Sequence, residues 1–325
     1  MEWSIAPFDF KAFVLQPWQD DPAGYGWIVL MAFLVTLSCG LIGNYLVLRR
    51  MSLVGDAISH SVLPGIAVAF LVSHSRDPWI MSIGAIAAGV LTTFLIENIH
   101  GRSRIKQDAA IGITFTTLFA IGVIIITVFA GKVDLDQECV LYGEITFIPF
   151  FDYVSLFGRA IAPQPVFVMA LVTLITAGLI MLFYKVLLVS SFDSGLAGSL
   201  GFNQRMVHYG MMCVLSVVVV SAFESVGAIL VIAMLILPGV TAYLITYRFP
   251  LMLVLTVVHA LLSAFIGLHL GIWLECSIAG SMVVAGSLLF VLAWIFSPSQ
   301  GLLRRFLYRS RSREDTEAQA DGSPA

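Results

Sequence analysis

Residues 51–66 read Met-Ser-Leu-Val-Gly-Asp-Ala-Ile-Ser-His-Ser-Val-Leu-Pro-Gly-Ile, an otherwise apolar run that contains one carboxylate and one imidazole. Asp56 and His60 are four residues apart. On a helix they therefore share one face, with about 5–6 Å between their Cβ atoms. A carboxylate oxygen and an imidazole nitrogen form a ligand set that suits divalent manganese, zinc or iron. The spacing indicates a candidate metal site on one helix.

A proline follows this pair and favours a bend in the helix. Pro64 has no N–H, so the carbonyl of His60 loses its usual helical partner. A bent helix with a freed carbonyl beside two ligands is one way to form a polar spot at membrane depth. A structural interpretation is also open from the residues alone. In this interpretation, Asp56 forms an ion pair at the membrane interface with Arg49 or Arg50, which precede it. His60 is then a neutral histidine that is hydrogen-bonded to a neighbouring helix.

The composition predicts an all-α integral membrane protein. Of 325 residues, 59% are hydrophobic and only 11% are charged, which excludes an ordinary soluble domain. The length allows about eight or nine transmembrane helices of about 20 residues each, with their loops. The cysteines form no C-x-x-C pair, so neither a zinc ribbon nor a redox motif is predicted.

Three regions follow from the distribution of apolar and polar residues. Residues 1–25 predict an interfacial N-terminal segment, 26–297 a transmembrane domain, and 298–325 a basic and then acidic tail that is partly disordered. The predicted spans are 27–48, 53–72, 79–96, 109–130, 166–188, 207–222, 226–246, 251–270 and 273–296. Residues 139–164 are apolar but interrupted by glycines and prolines, and they predict a re-entrant or interfacial pair of short helices.

The positions of the basic residues predict the orientation of the chain. Arg49-Arg50 and the loop 102–106 are basic, whereas the loop 132–138 is acidic, so the first two are expected in the cytoplasm and the third outside. The basic run that starts at Arg304 predicts a cytoplasmic C-terminus. This run is interpreted as a topological anchor and not as a nucleic-acid site. By the same counting, Asp56 lies near the cytoplasmic end of the second span.

Several motifs resemble those of a known family of transport proteins. Residues 51–67 resemble the signature of the permease subunits of manganese, zinc and iron ABC importers, the ABC-3 family. Further similarities follow in the order of the family, at 108–115, at 140–144 (where the family usually has Leu-Phe-Gly), at 191–201, at 226–231 and around Pro238. The resemblance covers residues 26–297. It implies a type II-like ABC importer permease fold with short helices, in which Pro64 and Pro238 bend their helices.

One cytoplasmic loop takes on a role through this resemblance. As bare sequence, residues 191–202 form a helix–loop connector in which Asp193 or Ser194 caps a short helix and Gly201 ends it. In the family, the matching loop is the coupling helix that docks into an ATPase subunit. The resemblance therefore implies that Phe192, Asp193, Ala197 and Gly201 belong to an ATPase-coupling loop.

The absence of other motifs narrows the possible functions. The sequence has no G-x-x-x-x-G-K-[ST] phosphate-binding motif and no constellation typical of a hydrolase, so no enzymatic activity is predicted. Energy for transport must come from another chain or from an ion gradient. Nitrogen and oxygen ligands leave Mn²⁺, Zn²⁺ and Fe²⁺ all feasible as the transported metal, with no permanently bound cofactor.

Two transport functions are consistent with these features. The first is the permease subunit of an ATP-driven metal importer in the bacterial cytoplasmic (inner) membrane. Its expected partners are ATP-binding cassette subunits, an extracytoplasmic metal-binding protein and a second permease chain, either identical or a paralogue. The alternative is a proton-coupled secondary transporter that uses Asp56, His60 and Glu224 as a relay. Glu224 is either a turn residue that faces outside or a carboxylate that lines the pathway. His208, His259 and His269 are interpreted as isolated packing residues.

Overall fold

The protein is a bundle of helices, seen in a computed structural model that describes residues 7, 9–75, 77–129, 145–156, 159–297 and 301. A π-helical turn, Lys11–Leu15, comes first. The α-helices are α1 Gln16–Asp20, α2 Pro22–Leu48, α3 Val54–Ser73, α4 Pro78–Arg102, α5 Gln107–Phe129, α6 Gln164–Leu182, α7 Tyr184–Phe192, α8 Ser194–Ser199, α9 Gln204–Val226, α10 Ala228–Ile245, α11 Phe249–Leu274 and α12 Ile278–Phe296. In these described ranges, eight helices are long and apolar enough to cross a membrane, and α10 is a shorter apolar helix.

Two of the spanning helices begin with the same N-terminal cap, an aspartate followed by a proline. Asp21 precedes Pro22, and its carboxylate accepts a hydrogen bond from the backbone N–H of Gly24 at 2.9 Å. Asp77 precedes Pro78 in the same way, and it accepts from the N–H of Trp79 at 3.0 Å. An N-cap carboxylate satisfies a helix donor that has no partner, and proline tolerates the first helical position because its missing N–H is not needed there. These pairs determine where α2 and α4 start.

The helices pack as two groups that share α9. Helix α2 packs against α6, α10 and α11, whereas α3 packs against α4 and α5; α9 contacts members of both groups. Small residues allow close approach of the backbones. A Cβ at Gly43 of α2 would overlap the carbonyl oxygen of Leu235 in α10, and Gly65 of α3 and Gly84 of α4 abut each other's carbonyl oxygens. Such contacts between small residues are typical of helix packing in membranes.

The segment predicted as a pair of short helices has a different structure. Its described part contains a 3-10 helix, Ile145–Phe150, followed by a two-stranded antiparallel hairpin of β1 Tyr153–Leu156 and β2 Arg159–Pro163. Residues 139–144, which carry one of the family-like motifs, lie outside the described residues. The prediction of two helices over 139–164 was therefore wrong in the part that the structure describes. Pro149 and Pro163 supply no N–H for continued helical hydrogen bonding.

Two helices have boundaries that differ from the predicted ones. The predicted span 166–188 is interrupted at Phe183, which separates α6 from α7. The turn expected at residues 223–225 occurs instead at Gly227, with φ 78°, because glycine adopts this backbone conformation without a steric penalty. Helix α9 therefore continues through Glu224, which lies in its last turn.

Candidate metal-transport site

The first turn of α3 packs against the middle of α10. Gly55 abuts the side chain of Leu235, and Leu235 lies near the middle of α10. Met51, in the connection between α2 and α3, and Val54, the first residue of α3, are also buried, with exposures of 9% and 1%. The first turn of α3, which carries Asp56, therefore lies beside the middle of α10. The position of Asp56 relative to the cytoplasmic side of the membrane stays a prediction.

The structure brings Asp56 and His60 together, as the helical spacing predicts. The Nε2 atom of His60 lies 3.4 Å from Oδ1 of Asp56. The side chains are 36% and 32% exposed, respectively, so both are partly accessible from outside the chain. A pair of this kind offers one nitrogen and one oxygen to a divalent cation from a single helical face.

Helix α5 forms an aromatic wall beside the imidazole. The ring of His60 lies 5.7 Å from that of Phe115 at an interplanar angle of 31°, and 6.1 Å from that of Phe119 at 89°. Further along α5, Gly122 faces Pro64, and a Cβ at Gly122 would lie 2.8 Å from the proline nitrogen. The glycine thus lets α5 approach the proline side of α3. The two phenyl rings restrict the orientations that the imidazole can adopt.

The opposite side of α3 is held by polar contacts within the bundle. Thr92 of α4 donates a hydrogen bond to the hydroxyl of Ser61 at 2.6 Å, and Ser61 donates to the carbonyl of Ala57 at 2.7 Å. Ile58 is fully buried. Asp56 and His60 therefore project from a helix that is anchored on its far side, which limits their movement relative to α4.

A second carboxylate–imidazole pair joins two helices that are distant in sequence. Oε2 of Glu97 in α4 lies 3.2 Å from Nε2 of His208 in α9, so the interpretation of His208 as an isolated packing residue was wrong. Sequence spacing does not reveal this pair because its members belong to different helices.

The other two histidines differ from each other. His269 is not isolated, because the indole N–H of Trp18 donates to its Nε2 at 3.2 Å and its Nδ1 lies 3.0 Å from the carbonyl of Phe13. His259 is 4% exposed and, among the described residues, neither of its ring nitrogens has a hydrogen-bond partner; its interpretation as a packing residue stays a prediction.

One chain provides few ligands for a metal ion. Over the ranges that the structure describes, no group of three or more histidine, cysteine, aspartate or glutamate side chains could hold a metal. Asp56 and His60 thus form a pair of candidate ligands. The side chain of Glu224 lies outside the described part, so its predicted role stays a prediction. Pro238 lies within α10, as Pro64 lies within α3.

The loop after α7 forms the short capped helix that its sequence predicts. Asp193 accepts a hydrogen bond from the N–H of Leu196 at 2.9 Å, and α8 ends before Gly201, whose φ is 87°. Ala197 is fully buried, whereas an apolar patch is formed by side chains that are at least half exposed: Phe192, Leu196 and Leu200. The helix is thus anchored by one small side chain and presents apolar ones.

The fold and the site define a class of protein: a multi-pass membrane protein with a carboxylate–imidazole pair inside its bundle. Comparison with known proteins then identifies the family. The model of the ABC 3 transport family matches residues 26–297, and the chain belongs to this family. The family comprises membrane components of ABC transport systems for manganese, zinc or iron.

Individual relatives are similar over most of their length. The chain is 44% identical to the manganese transport system membrane protein MntD of Bacillus subtilis, over 86% of this chain and 95% of the relative. It is 41% identical to the zinc transport system membrane protein TroD of Treponema pallidum, over 86% and 76% of the two chains. Among solved structures, PsaBC from Streptococcus pneumoniae in complex with Fab contains a chain with a TM-score of 0.74 and 33% identity, covering 90% of this chain and 99% of that one.

Proposed function

We propose that the protein is the membrane-spanning permease subunit of an ATP-driven importer for a divalent transition metal: manganese, zinc or iron. The observation that carries the proposal is the Asp56/His60 pair, partly exposed and located beside the middle of α10. Membership of the ABC 3 transport family supports ATP as the energy source over an ion gradient. Hydrolysis takes place in a separate subunit, since the sequence has no phosphate-binding motif of its own.

The chemistry of the pair suits transport better than storage. The ionised carboxylate of Asp56 and the neutral imidazole of His60 each donate one electron pair to the metal. Two ligands hold an ion weakly, and a conducting site must release what it captures. A second permease chain related by a two-fold axis brings two more ligands to the same ion and completes a four-ligand passage site.

The proposal also includes the other parts of the importer. The exposed apolar side chains on and beside α8 dock into the ATP-binding cassette subunit on the cytoplasmic side of a bacterial inner membrane, where the C-terminus also lies. An extracytoplasmic metal-binding protein delivers the ion from the opposite side. The cargo names of MntD and TroD support manganese and zinc as the first metals to test.

The test is metal uptake by proteoliposomes that contain the permease with its ATPase and binding protein. His60→Ala removes the nitrogen ligand, and Asp56→Asn keeps the shape of the side chain while it removes the charge. Each variant is expected to abolish uptake of Mn²⁺, Zn²⁺ and Fe²⁺ while the complex still assembles.

The matched control for these variants is a histidine at the far end of the same helix. His74 is exposed and has a φ of 49°, a conformation that asparagine tolerates. His74→Asn therefore removes an imidazole without strain and should transport at the wild-type rate. Wild-type uptake by both ligand variants would show that the pair is structural and that the pathway lies elsewhere. Ser61 is unsuitable as a control because it is buried and bonded to Thr92.

A further inference from the structure

Arg49 connects the end of α2 to the end of α7. Its Nε donates a hydrogen bond to the hydroxyl of Ser191 and its Nη2 donates to that of Ser190, both at 3.1 Å. The two serines donate their own protons to backbone carbonyls of α7, at 2.7 Å each. Their oxygen lone pairs are therefore free to accept from the guanidinium, and the donors and acceptors of this contact are matched.

The environment of Arg49 strengthens this contact. Burial lowers the pKa of the Arg49 guanidinium below its usual range. Arginine nevertheless remains charged in proteins, so both bonds are charge-assisted, and such bonds are shorter and stronger than neutral ones. Arg49 is only partly exposed, so breaking this contact would remove two charged hydrogen bonds that water replaces only in part. Arg49 thus holds α7 against the end of α2.

On one side, this contact leads directly to the proposed ATPase-coupling helix. Ser190 and Ser191 lie in the last turn of α7, which ends at Phe192. The next residue, Asp193, caps α8 through its bond to the N–H of Leu196. Asp193 is the single residue between the end of α7 and the start of α8. A force applied to α8 therefore reaches Arg49 through a single capped helix junction.

On the other side, a tight turn leads from Arg49 to the metal site. Arg50 has a φ of 59°, and the N–H of Met51 donates to the carbonyl of Leu46 at 2.9 Å, as in a Schellman helix end. The N–H of Val54 donates to the carbonyl of Met51 at 3.2 Å, and α3 begins there. Asp56 lies in the first turn of α3. Because successive hydrogen bonds tie this backbone, displacement of Arg49 moves the start of α3.

We propose that Arg49 is a positioning residue that couples the movement of α8 to the geometry of the Asp56/His60 site. The inference rests on the proposed function, because it assumes that α8 receives the ATPase and that the pair receives the metal. Arg49 touches neither the ATPase nor the ion in this scheme. It transmits the displacement of α7 to the first turn of α3, where one ligand is located, and so changes the distance between the ligands of two facing permease chains.

The experiment measures Mn²⁺ uptake and ATP hydrolysis in the same reconstituted complex. Arg49→Met keeps much of the length of the side chain and removes all its donors. We expect the number of Mn²⁺ ions taken up per ATP hydrolysed to fall at least about tenfold, the order expected for the loss of charged hydrogen bonds. Poor folding would reduce the number of active complexes and lower both rates together, so the ratio separates coupling from stability.

Further variants make the test specific to the contact with α7. The double variant Ser190→Ala with Ser191→Ala should lower the same ratio, and combining it with Arg49→Met should add no further loss, since both remove the same interaction. Arg49→Lys keeps the charge but has one donor nitrogen in place of the two that contact the serines. It should give an intermediate ratio of Mn²⁺ uptake to ATP hydrolysis. The control is Arg50→Lys, which changes an exposed neighbour and should retain the wild-type ratio.

The outcomes separate this inference from the proposed function. A wild-type complex that takes up no Mn²⁺, Zn²⁺ or Fe²⁺ contradicts the proposed function itself. If the wild-type complex transports Mn²⁺ and Arg49→Met retains its ratio of uptake to hydrolysis, only the coupling role of Arg49 is overturned. Fully additive losses in the triple variant also overturn it, because they show that Arg49 acts independently of Ser190 and Ser191.

Discussion

At the scale of single residues, the candidate site is an imidazole held between a carboxylate and two phenyl rings. Asp56 lies within 3.4 Å of one nitrogen of His60, and the rings of Phe115 and Phe119 lie around the imidazole. A side chain that is restricted before the metal arrives loses less conformational entropy when it binds. We therefore expect the aromatic wall to increase the metal affinity of the proposed site.

Phe115→Leu tests the contribution of this wall. The substitution keeps an apolar side chain and removes the ring beside His60. Contacts between aromatic rings contribute about 0.5–1.5 kcal/mol, so the Mn²⁺ concentration for half-maximal uptake should rise roughly two- to tenfold. The maximal rate should change less. The control is Phe129→Leu on the same helix, where the ring is 68% exposed. Equal half-maximal concentrations in the two variants would show that the wall does not orient the imidazole.

At the scale of elements, α3 and α8 differ in where they begin and in how their first turns are stabilised. Helix α3 begins inside the bundle, so its first turn carries polar groups beside the middle of α10. Helix α8 has only the residues Ser194–Ser199 and depends on its cap, because a helix this short is unstable alone. The end of α7 lies between them and contacts Arg49.

Asp193→Lys is expected to abolish metal-stimulated ATP hydrolysis by the reconstituted complex while the permease still inserts. Lysine removes the acceptor that caps α8, a loss of about 0.5–2 kcal/mol, and places a positive charge at the positive end of the helix.

Asp193→Ser distinguishes the cap from the charge. Serine also caps helices, so this variant should retain most of the stimulation if the cap is what matters. Unchanged stimulation in Asp193→Lys would contradict the coupling role of this loop and leave it as an ordinary connector.

At the scale of the whole molecule, we propose that the chain offers one side of a metal pathway. The described residues supply two clustered candidate ligands, and both side chains are partly exposed. Exposure of ionisable groups to lipid is costly. In the proposed complex, a second permease chain that faces the pair removes this cost and supplies further ligands.

We therefore expect two permease chains in the functional complex, together with two ATPase subunits. Native mass spectrometry of the purified complex gives the stoichiometry directly. Two identical permeases indicate a homodimer, and a paralogous chain of the same family indicates a heterodimer; both agree with a shared site. Metal transport by a complex that contains a single permease chain would contradict a site shared between two permeases.

The sequence by itself determined the features that depend on nearby residues. Membrane insertion follows from the apolar runs, and eight of the described helices are long enough to span. The proximity of Asp56 and His60 follows from a spacing of one helical turn, and the cap at Asp193 follows from its position before a short helix. Local spacing predicts these contacts because the geometry of a helix is nearly constant.

Only the tertiary structure decided which distant elements meet. The position of the first turn of α3 beside α10 depends on the contact of Gly55 with Leu235, and the surroundings of the imidazole depend on Phe115 in another helix. The pairing of Arg49 with the end of α7 likewise joins residues far apart in the chain. Such contacts arise when small residues let particular helices approach, and the choice among similar apolar faces is made by packing of the whole bundle.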